Sequence, residues 1–372
     1  NIANIAWKKI IPDEDNDWIN TKNKKYGNFI PIGDKKEKSI FKNYLIGMVS
    51  NRDAWVYNFS SKKLVTNISK MINVYNAERR NYINNHTINL ERNSTKISWS
   101  AGLNNKLKNN VEIGFDNKNV RIGLYRPFCK QFLYYDNNLI ERPGRFKNVI
   151  EDKNKIICLH GIGGSKEFSC IINDSLTDLQ VIENGQCFPE FWYLKNENTI
   201  FKSATIKEDN INEKIVDDMC VKYKKTITSE EIFYYIYGLL HSNNYKQEYS
   251  SDLKKGLPRI PILKDYQLFK QYSEKGKKLA DLHLNYEKIK PYDKCNILVY
   301  PNANYKVTKM KFGKNKNKSI IEYNDKISIT NIPLKAYKYV VNGKSAIEWI
   351  MERYAITKDS KSGIVNDPND WC

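Results

Sequence analysis

Positively charged side chains and aromatic rings are concentrated in residues 124–146, LYRPFCKQFLYYDNNLIERPGRF. The cations of this stretch that could bind an anion are Arg126, Lys130, Arg142 and Arg145. A guanidinium group matches two phosphate oxygens, or the O6 and N7 atoms of guanine, through paired hydrogen bonds. These residue types indicate a site for a polyanion. The alternative interpretation is that the aromatic rings form a sheet core and that the cations are solvated.

A glycine-rich segment, HGIGGSK at residues 160–166, is the second candidate site. It lacks the GxxxxGK[ST] pattern of a nucleotide-binding P-loop, and no helix is predicted after it. Glycines allow close approach of the backbone, so we expect amides of the loop, Ser165 and Lys166 to reach a nucleic-acid phosphate or base edge. A plain hairpin loop explains the pattern equally well.

A lysine-rich segment, GKNKNKS at residues 313–319, is the third candidate. It joins two predicted strands, Lys306–Phe312 and Ile320–Tyr323. Two strands joined by a basic loop can place Lys314 and Lys316 along phosphates. The alternative is a solvated hairpin tip.

The charge of the whole chain agrees with a polyanionic partner. The 372 residues include 61 Lys and Arg but only 42 Asp and Glu, which gives a net charge of +19. Such a charge favours nucleic acid as the partner and says nothing about the fold. An AT-rich genome would also raise the lysine content without any ligand.

Motifs for catalysis are missing from the sequence. We find no adenosylmethionine loop with an Asn-Pro-Pro-aromatic motif, no nuclease carboxylate cluster and no Walker A motif. The four histidines (86, 160, 241 and 283) have no metal-ligand spacing. The sequence therefore predicts neither a metal site nor a cofactor in this chain.

The seven cysteines are scattered and form no CxxC pair, which predicts reduced thiols and a cytoplasmic protein. No apolar run approaches 18 residues, so we predict no membrane span.

Hydrophobic periodicity predicts an α+β fold, with a mixed, largely antiparallel twisted sheet and a packed helical subdomain. The predicted strands are Val120–Tyr125, Phe132–Tyr135, Ile156–Leu159, Phe168–Ile172, Leu179–Ile182 and Phe188–Leu194. The predicted helices are Ser60 to about Asn85, Trp99–Lys108, Ser229–His241, Tyr245–Leu253, Tyr266–Asn285 and Ser345–Tyr354.

These elements divide the chain into a polar segment and one larger unit. Residues 1–44 are turn-rich and predict a linker lying over a surface. Residues 45–372 form the larger unit, with a β-rich part at about 111–200, a helical part at about 229–287 and a C-terminal β/helix part at about 297–372. Residues 201–228, rich in charge, predict an exposed excursion.

The sequence resembles a known family along nearly its whole length. Residues 124–146 match its pattern, as do the motifs NRDAWVYNFS (51–60), DLQVIENGQCFP (178–189), IYGLLHSNNYKQEYSSDLKKGLPRIP (236–261), KLADLHLNYE (278–287), YVVNGKSAIEWIMERY (339–354) and SGIVNDPNDW (362–371). The family is the C-terminal specificity region of Type ISP restriction-modification enzymes.

This resemblance implies a target recognition domain that reads duplex DNA while other domains methylate adenine and cut. Residues 1–44 would be the tail of an upstream methyltransferase domain, which is the second expected partner. Adenosylmethionine, magnesium and ATP would belong to the upstream domains and not to this chain. The start at Asn1 and the end at Cys372 suggest a fragment of a longer protein, and the missing motifs favour a fragment that is not an enzyme by itself. The alternative is a catalytic domain with a diverged nuclease or methyltransferase site.

Overall fold

The computed structural model describes residues 11, 12, 23, 25–85, 90–149, 154–195 and 205–371. Predictions that concern His86, residues 201–204 and most of residues 1–24 fall outside this part of the chain. The fold is α+β, as the sequence predicts.

The helices of the described part alternate with short strands. They are α1 Asp53–Val56, α2 Ser61–Asn85, α3 Ala101–Lys108, α4 Glu213–Tyr223, α5 Ser229–His241, α6 Asn243–Glu248, α7 Ser250–Lys255, α8 Tyr266–Leu284 and α9 Ala346–Arg353. The strands are β1 Ile30–Pro31, β2 Leu45–Ile46, β3 Tyr57–Asn58, β4 Val120–Arg126, β5 Cys129–Tyr134, β6 Ile156–Leu159, β7 Cys170–Asn173, β8 Leu176–Thr177, β9 Gln186–Pro189, β10 Phe191–Lys195, β11 Thr205–Asp209, β12 Arg259–Ile260, β13 Asn296–Val299, β14 Lys311–Gly313, β15 Asn317–Glu322, β16 Ile327–Thr330, β17 Val340–Val341, β18 Lys344–Ser345, β19 Thr357–Lys358 and β20 Val365–Asn366.

Three four-stranded sheets dominate the topology. Their strand orders are β2-β9-β6-β7, β3-β5-β4-β8 and β13-β16-β15-β14. Neighbouring strands in these sheets are antiparallel except β4 and β8, which are parallel. The first two sheets hold the segments with the candidate cations and the glycine-rich loop, and the third carries the lysine-rich segment.

Two large cores hold the first two sheets against helices. One core packs α2 and α3 against the β3-β5-β4-β8 sheet through buried residues such as Leu64, Leu103 and Leu133. The other packs α4–α8 against β6 and β7 through residues such as Ile157 and Phe233. Burial of apolar side chains on this scale is the main stabilising contribution to a fold.

The C-terminal sheet has a much smaller core. Its fully buried apolar cluster consists of Ile321, Ile332 and Met351. The edge strand β13 exposes Ile297, Leu298 and Val299, each by about half or more of its surface. This sheet is therefore an open element beside α9, in contrast to the two packed sheets.

Capping residues explain where the main helices begin. Thr228 and Glu231 form a capping box at the start of α5, and Ser345 and Glu348 form another at α9. Each box satisfies backbone amides that the first helical turn leaves free. The predicted helices over residues 229–241 and 345–354 agree with these bounds to within a residue.

The sequence was misleading about residues 25–44 and 205–228. Residues 25–44 are part of the fold, because Ile32 and Phe41 are fully buried and β1 pairs with β12. The segment 205–228 forms β11 and α4, and α4 buries Ile215 and Met219. The expected surface linker is wrong for residues 25–44 and the expected exposed excursion is wrong for α4, since isolated apolar anchors in polar surroundings turn inward. Strand β11 is largely exposed, as expected.

Several smaller boundaries also differ from the prediction. Residues 179–181 form a 3₁₀ turn instead of a strand, and the predicted helix 245–253 is split into α6 and α7. The predicted strand 306–312 is reduced to β14, while β13 and β16 were not predicted at all.

Candidate nucleic-acid interface

Arg126, at the end of β4, is held by a closed set of partners. Its Nη1 atom lies 2.9 Å from Asp178 Oδ1, and its Nη2 atom lies 3.7 Å from Asp53 Oδ2. The guanidinium carbon also lies 3.9 Å from the centre of the Tyr125 ring. These contacts explain why the side chain is largely buried, and they make Arg126 a structural residue.

The pKa of the Asp178 carboxyl group depends on burial and on the same set of contacts. Burial raises the pKa of Asp178 to about 6, whereas the Arg126 guanidinium lowers that pKa. The Tyr57 hydroxyl and the Gln180 amide donate to its two oxygens at 3.4 and 2.8 Å. A buried carboxylate of this kind depends on its cation to stay charged.

Lys130 also faces the protein more than the solvent. Its Nζ atom lies 3.7 Å from Asp174 Oδ1 and 5.8 Å from the centre of the Tyr286 ring. The structure thus gives Arg126 and Lys130 local partners, although both were selected from the sequence as candidates for DNA contact.

Arg142 and Arg145 lie on one exposed turn that follows β5. The backbone of Arg142 pairs with Val49 through hydrogen bonds of 2.9 and 3.0 Å, which fixes the turn against residues 44–51. The Arg142 side chain has no hydrogen-bond or ion-pair partner in the described part of the chain. Arg145 donates from Nη2 to the Tyr44 carbonyl at 3.0 Å and lies 5.1 Å from the centre of the Trp192 ring.

The glycine-rich loop is organised by an acidic residue of the protein. Glu183 accepts hydrogen bonds from the Ser165 and Lys166 amides at 2.9 and 3.1 Å and from the Ser165 hydroxyl at 3.0 Å. These amides therefore do not form an open cradle for a phosphate. The Glu183 carboxylate occupies the position that an anion would need, and the expected approach of these amides to DNA stays a prediction.

The side chain of Lys166 remains available after this loop is closed. It lies against Gly343 on the β17–β18 turn, where an added Cβ would be 3.1 Å from Lys166 Cδ. Its ammonium group has no hydrogen-bond or ion-pair partner among the residues that the structure describes. Of the two candidates in this loop, the Ser165 hydroxyl is bonded to Glu183, whereas the exposed Lys166 side chain carries a positive charge.

Residues 44–51 connect these loops into one surface. Val49 bridges to Arg142, Met48 bridges to Asp178, and Gly47 donates to Gly185 at 3.1 Å. The 178–185 segment in turn holds the loop of Ser165 and Lys166 through Glu183. We call the exposed residues of 142–145, 44–51, 178–185 and 161–166 the loop surface.

Lys314 and Lys316 belong to a different element. They lie in the turn between β14 and β15, where Asn315 and Lys316 have φ angles of 59° and 60°. Both lysines are exposed and have no partner among the described residues. The structure thus brings together the candidates of the loop surface and leaves these two on the C-terminal sheet.

Two side chains that were not predicted from the sequence, Asn51 and Gln180, stand beside Arg142. Together they line a polar cleft between residues 48–53 and residues 178–180. Their position in loops next to buried strands was the only signal in the sequence. Nothing marked them individually.

Within residues 25–85, 90–149, 154–195 and 205–371, no group of three His, Cys, Asp or Glu side chains is placed to hold a metal ion. In the same part of the chain, no helix is long and apolar enough to cross a membrane.

Comparison with known proteins places this architecture in a family. Residues 39–372 match the family described as Type ISP C-terminal specificity domain. No curated protein sequence matches the chain.

Solved structures give the same result. A nuclease-deletion mutant of the Type ISP restriction-modification enzyme LlaGI, in complex with a DNA substrate mimic, is 37% identical with a TM-score of 0.86, over 100% of this chain and 34% of that one. The ATP-dependent Type ISP enzyme LlaBIII, bound to DNA, is 34% identical with a TM-score of 0.87, over 98% of this chain and 23% of that one.

A DrdV–DNA complex shares the fold at 24% identity and a TM-score of 0.84, over 100% of this chain and 37% of that chain. The chain thus spans between 23% and 37% of the length of these proteins. Since the family match covers nearly all of its residues, the chain belongs to the Type ISP C-terminal specificity domain family.

Proposed function

We propose that this chain binds duplex DNA and selects the target sequence, while methylation and cleavage are carried out by other domains. The observation that carries the proposal is the loop surface, where Arg142, Arg145 and Lys166 are exposed on loops that a rigid scaffold holds. Cations on such loops neutralise phosphates and fix the register of the protein on DNA. The DNA complexes of LlaGI and LlaBIII support this assignment.

The proposal includes the organisation of the intact protein. An upstream methyltransferase domain would be the second partner, and adenosylmethionine, magnesium and ATP would serve the upstream domains. The chain itself would be non-catalytic. Its free cysteines, among them Cys158 and Cys187 at 3.5 Å, agree with a reducing cytoplasm.

Binding-site selection on random duplexes tests the proposal. We expect one short sequence to be enriched, and affinity to fall about a thousandfold between 50 and 200 mM salt if roughly six phosphates are contacted. Absence of enrichment together with a flat salt response would contradict DNA recognition.

A second measurement tests the non-catalytic role. After incubation with duplex, magnesium, ATP and adenosylmethionine, the DNA should carry no nick and no methylated adenine. Either product, if it persists after repurification of the protein, would favour the catalytic alternative.

A further inference from the structure

The polar cleft beside Arg142 is the part of the loop surface where free hydrogen-bonding groups converge. Its lining includes Asn51, Asp53, Arg142, Asp178 and Gln180. These residues come from three chain segments that are far apart in sequence. The cleft is therefore created by the fold.

The backbone around the cleft is held while three side chains are left free. Arg142 is fixed by its two hydrogen bonds to Val49, and the Gln180 amide donates to Asp178 at 2.8 Å. Asn51 has a φ angle of 54° in the turn before α1. The side chains of Asn51, Arg142 and Gln180 are exposed and have no partner among the described residues. Fixed backbones with free polar side chains are suited to recognition.

The charge in the cleft argues against a phosphate as the ligand of these side chains. The Asp53 side chain is 38% exposed, whereas the Asp178 side chain is almost buried. The charge of Arg126 is shared between these two carboxylates, and among the described residues that line the cleft the remaining cation is Arg142. A phosphate in the cleft would therefore meet the oxygens of Asp53 as well as the guanidinium of Arg142.

A base edge suits the same groups better, because it carries donors as well as acceptors. Arginine pairs with the O6 and N7 atoms of guanine, and the carboxamide of Gln or Asn pairs with the N6 and N7 atoms of adenine. Both patterns are presented in the major groove of DNA.

We propose that Arg142 and Gln180 read base edges in the major groove, Arg142 a guanine and Gln180 an adenine in a neighbouring base pair. Asn51 provides a second carboxamide at the same cleft. This inference rests on the proposed function and adds the residues that determine specificity. Arg145, which already donates to the Tyr44 carbonyl, contacts a phosphate instead.

The test is binding-site selection on random duplexes with the parent chain, Arg142→Ala, Gln180→Ala and Arg145→Ala. For Arg142→Ala we expect the preference for guanine at one position to disappear, with a roughly 10- to 100-fold loss of affinity for the parent's best site. For Gln180→Ala we expect the preference for adenine at a neighbouring position to weaken. Melting temperatures of the variants establish that each remains folded.

Arg145→Ala is the matched control, because it removes the same side chain three positions along the same turn. We expect it to weaken binding to all sequences alike. The salt slope, which is the slope of log binding constant against log salt concentration, should fall in magnitude by about one. The selected sequence should not change.

Two outcomes would overturn base reading by Arg142. One is an Arg142→Ala variant that loses affinity uniformly and keeps the parent's selected sequence, as removal of a phosphate-binding side chain would. The other is a variant that binds like the parent. If the parent chain selects no sequence at all, the proposed function itself is refuted. The selection with the parent chain therefore separates this failure from a failure of base reading by Arg142.

Discussion

Two regions of the molecule are rich in cations, the surroundings of Arg126 and the turn that carries Lys314 and Lys316. They differ in whether the cations have partners within the protein. Arg126 is enclosed by Asp53, Asp178 and the Tyr125 ring. Lys314 and Lys316 are exposed on a sheet with a small core and have no partner among the described residues. Cation density in a sequence therefore does not separate charges that stabilise the fold from charges left for a ligand.

Replacement of Arg126 should have the largest effect. Arg126→Ala leaves Asp178 buried without its cation, so we expect the free energy of unfolding to fall by roughly 3 kcal/mol. Urea unfolding monitored by tryptophan fluorescence measures this loss. The control is Arg142→Ala, whose exposed side chain should change stability by less than about 0.5 kcal/mol. Equal stability of the two variants would remove the distinction between enclosed and free arginines.

Acidification should lower the free energy of unfolding through two buried histidines, His241 and His283. Burial lowers the pKa of His241 to about 4 and that of His283 to about 3, while the unfolded chain binds these protons near pH 6.5. Each histidine therefore contributes stability that is complete above pH 6.5 and is lost as the pH falls toward its folded pKa. The slope approaches about 1.4 kcal/mol per pH unit for each group.

The raised pKa of Asp178 acts in the opposite direction between about pH 6 and 3.8, because the folded state there binds the extra proton. A His241→Asn variant removes the titration of His241 and leaves those of His283 and Asp178 in place, so its difference from the parent measures the contribution of His241. Urea unfolding at pH 7, 6 and 5 should show a shallower decline for the variant than for the parent. Identical slopes would show that His241 does not couple folding to pH.

The smallest effect is expected on the C-terminal sheet. Lys314→Ala or Lys316→Ala should leave the melting temperature unchanged and weaken DNA binding by a few-fold, with the salt slope reduced by about one for each phosphate that the variant no longer neutralises. Lys318→Ala is a suitable contrast, because Lys318 pairs with Glu348 at 2.8 Å. If Lys314 and Lys316 are only solvated, both variants will bind DNA like the parent.

Much of the helical architecture could be predicted from the sequence, because amphipathic spacing is local. The apolar positions of α5 and the cap of α9 lie within single segments, so periodicity and capping rules are sufficient. The α4 helix was missed although its buried Ile215, Met219 and Tyr223 have helical spacing, because the charged residues of the surrounding segment indicate exposure. Strand β13 was missed although it is apolar, since exposure on both faces gives no alternating pattern.

The candidate site was less predictable, because its geometry depends on contacts between distant segments. Arg126 and Asp178 are 52 residues apart, and only the fold shows that they form a pair. Glu183 closes the glycine-rich loop from 17 residues away. The sequence correctly placed Arg142, Arg145 and Lys166 on turns and loops, but it could not show which cations have partners, and their contact with DNA stays a prediction.

Under the proposed function, the short segment around Met48 and Val49 limits the ways in which the DNA target can change. Its backbone bridges to Asp178 on one side and to Arg142 on the other. An inserted or deleted residue here would displace both walls of the cleft at once, whereas an exchange of the Arg142 or Gln180 side chain would leave the backbone unchanged. Natural variants with altered targets are therefore expected to differ by substitutions around this segment, with its length preserved through evolution.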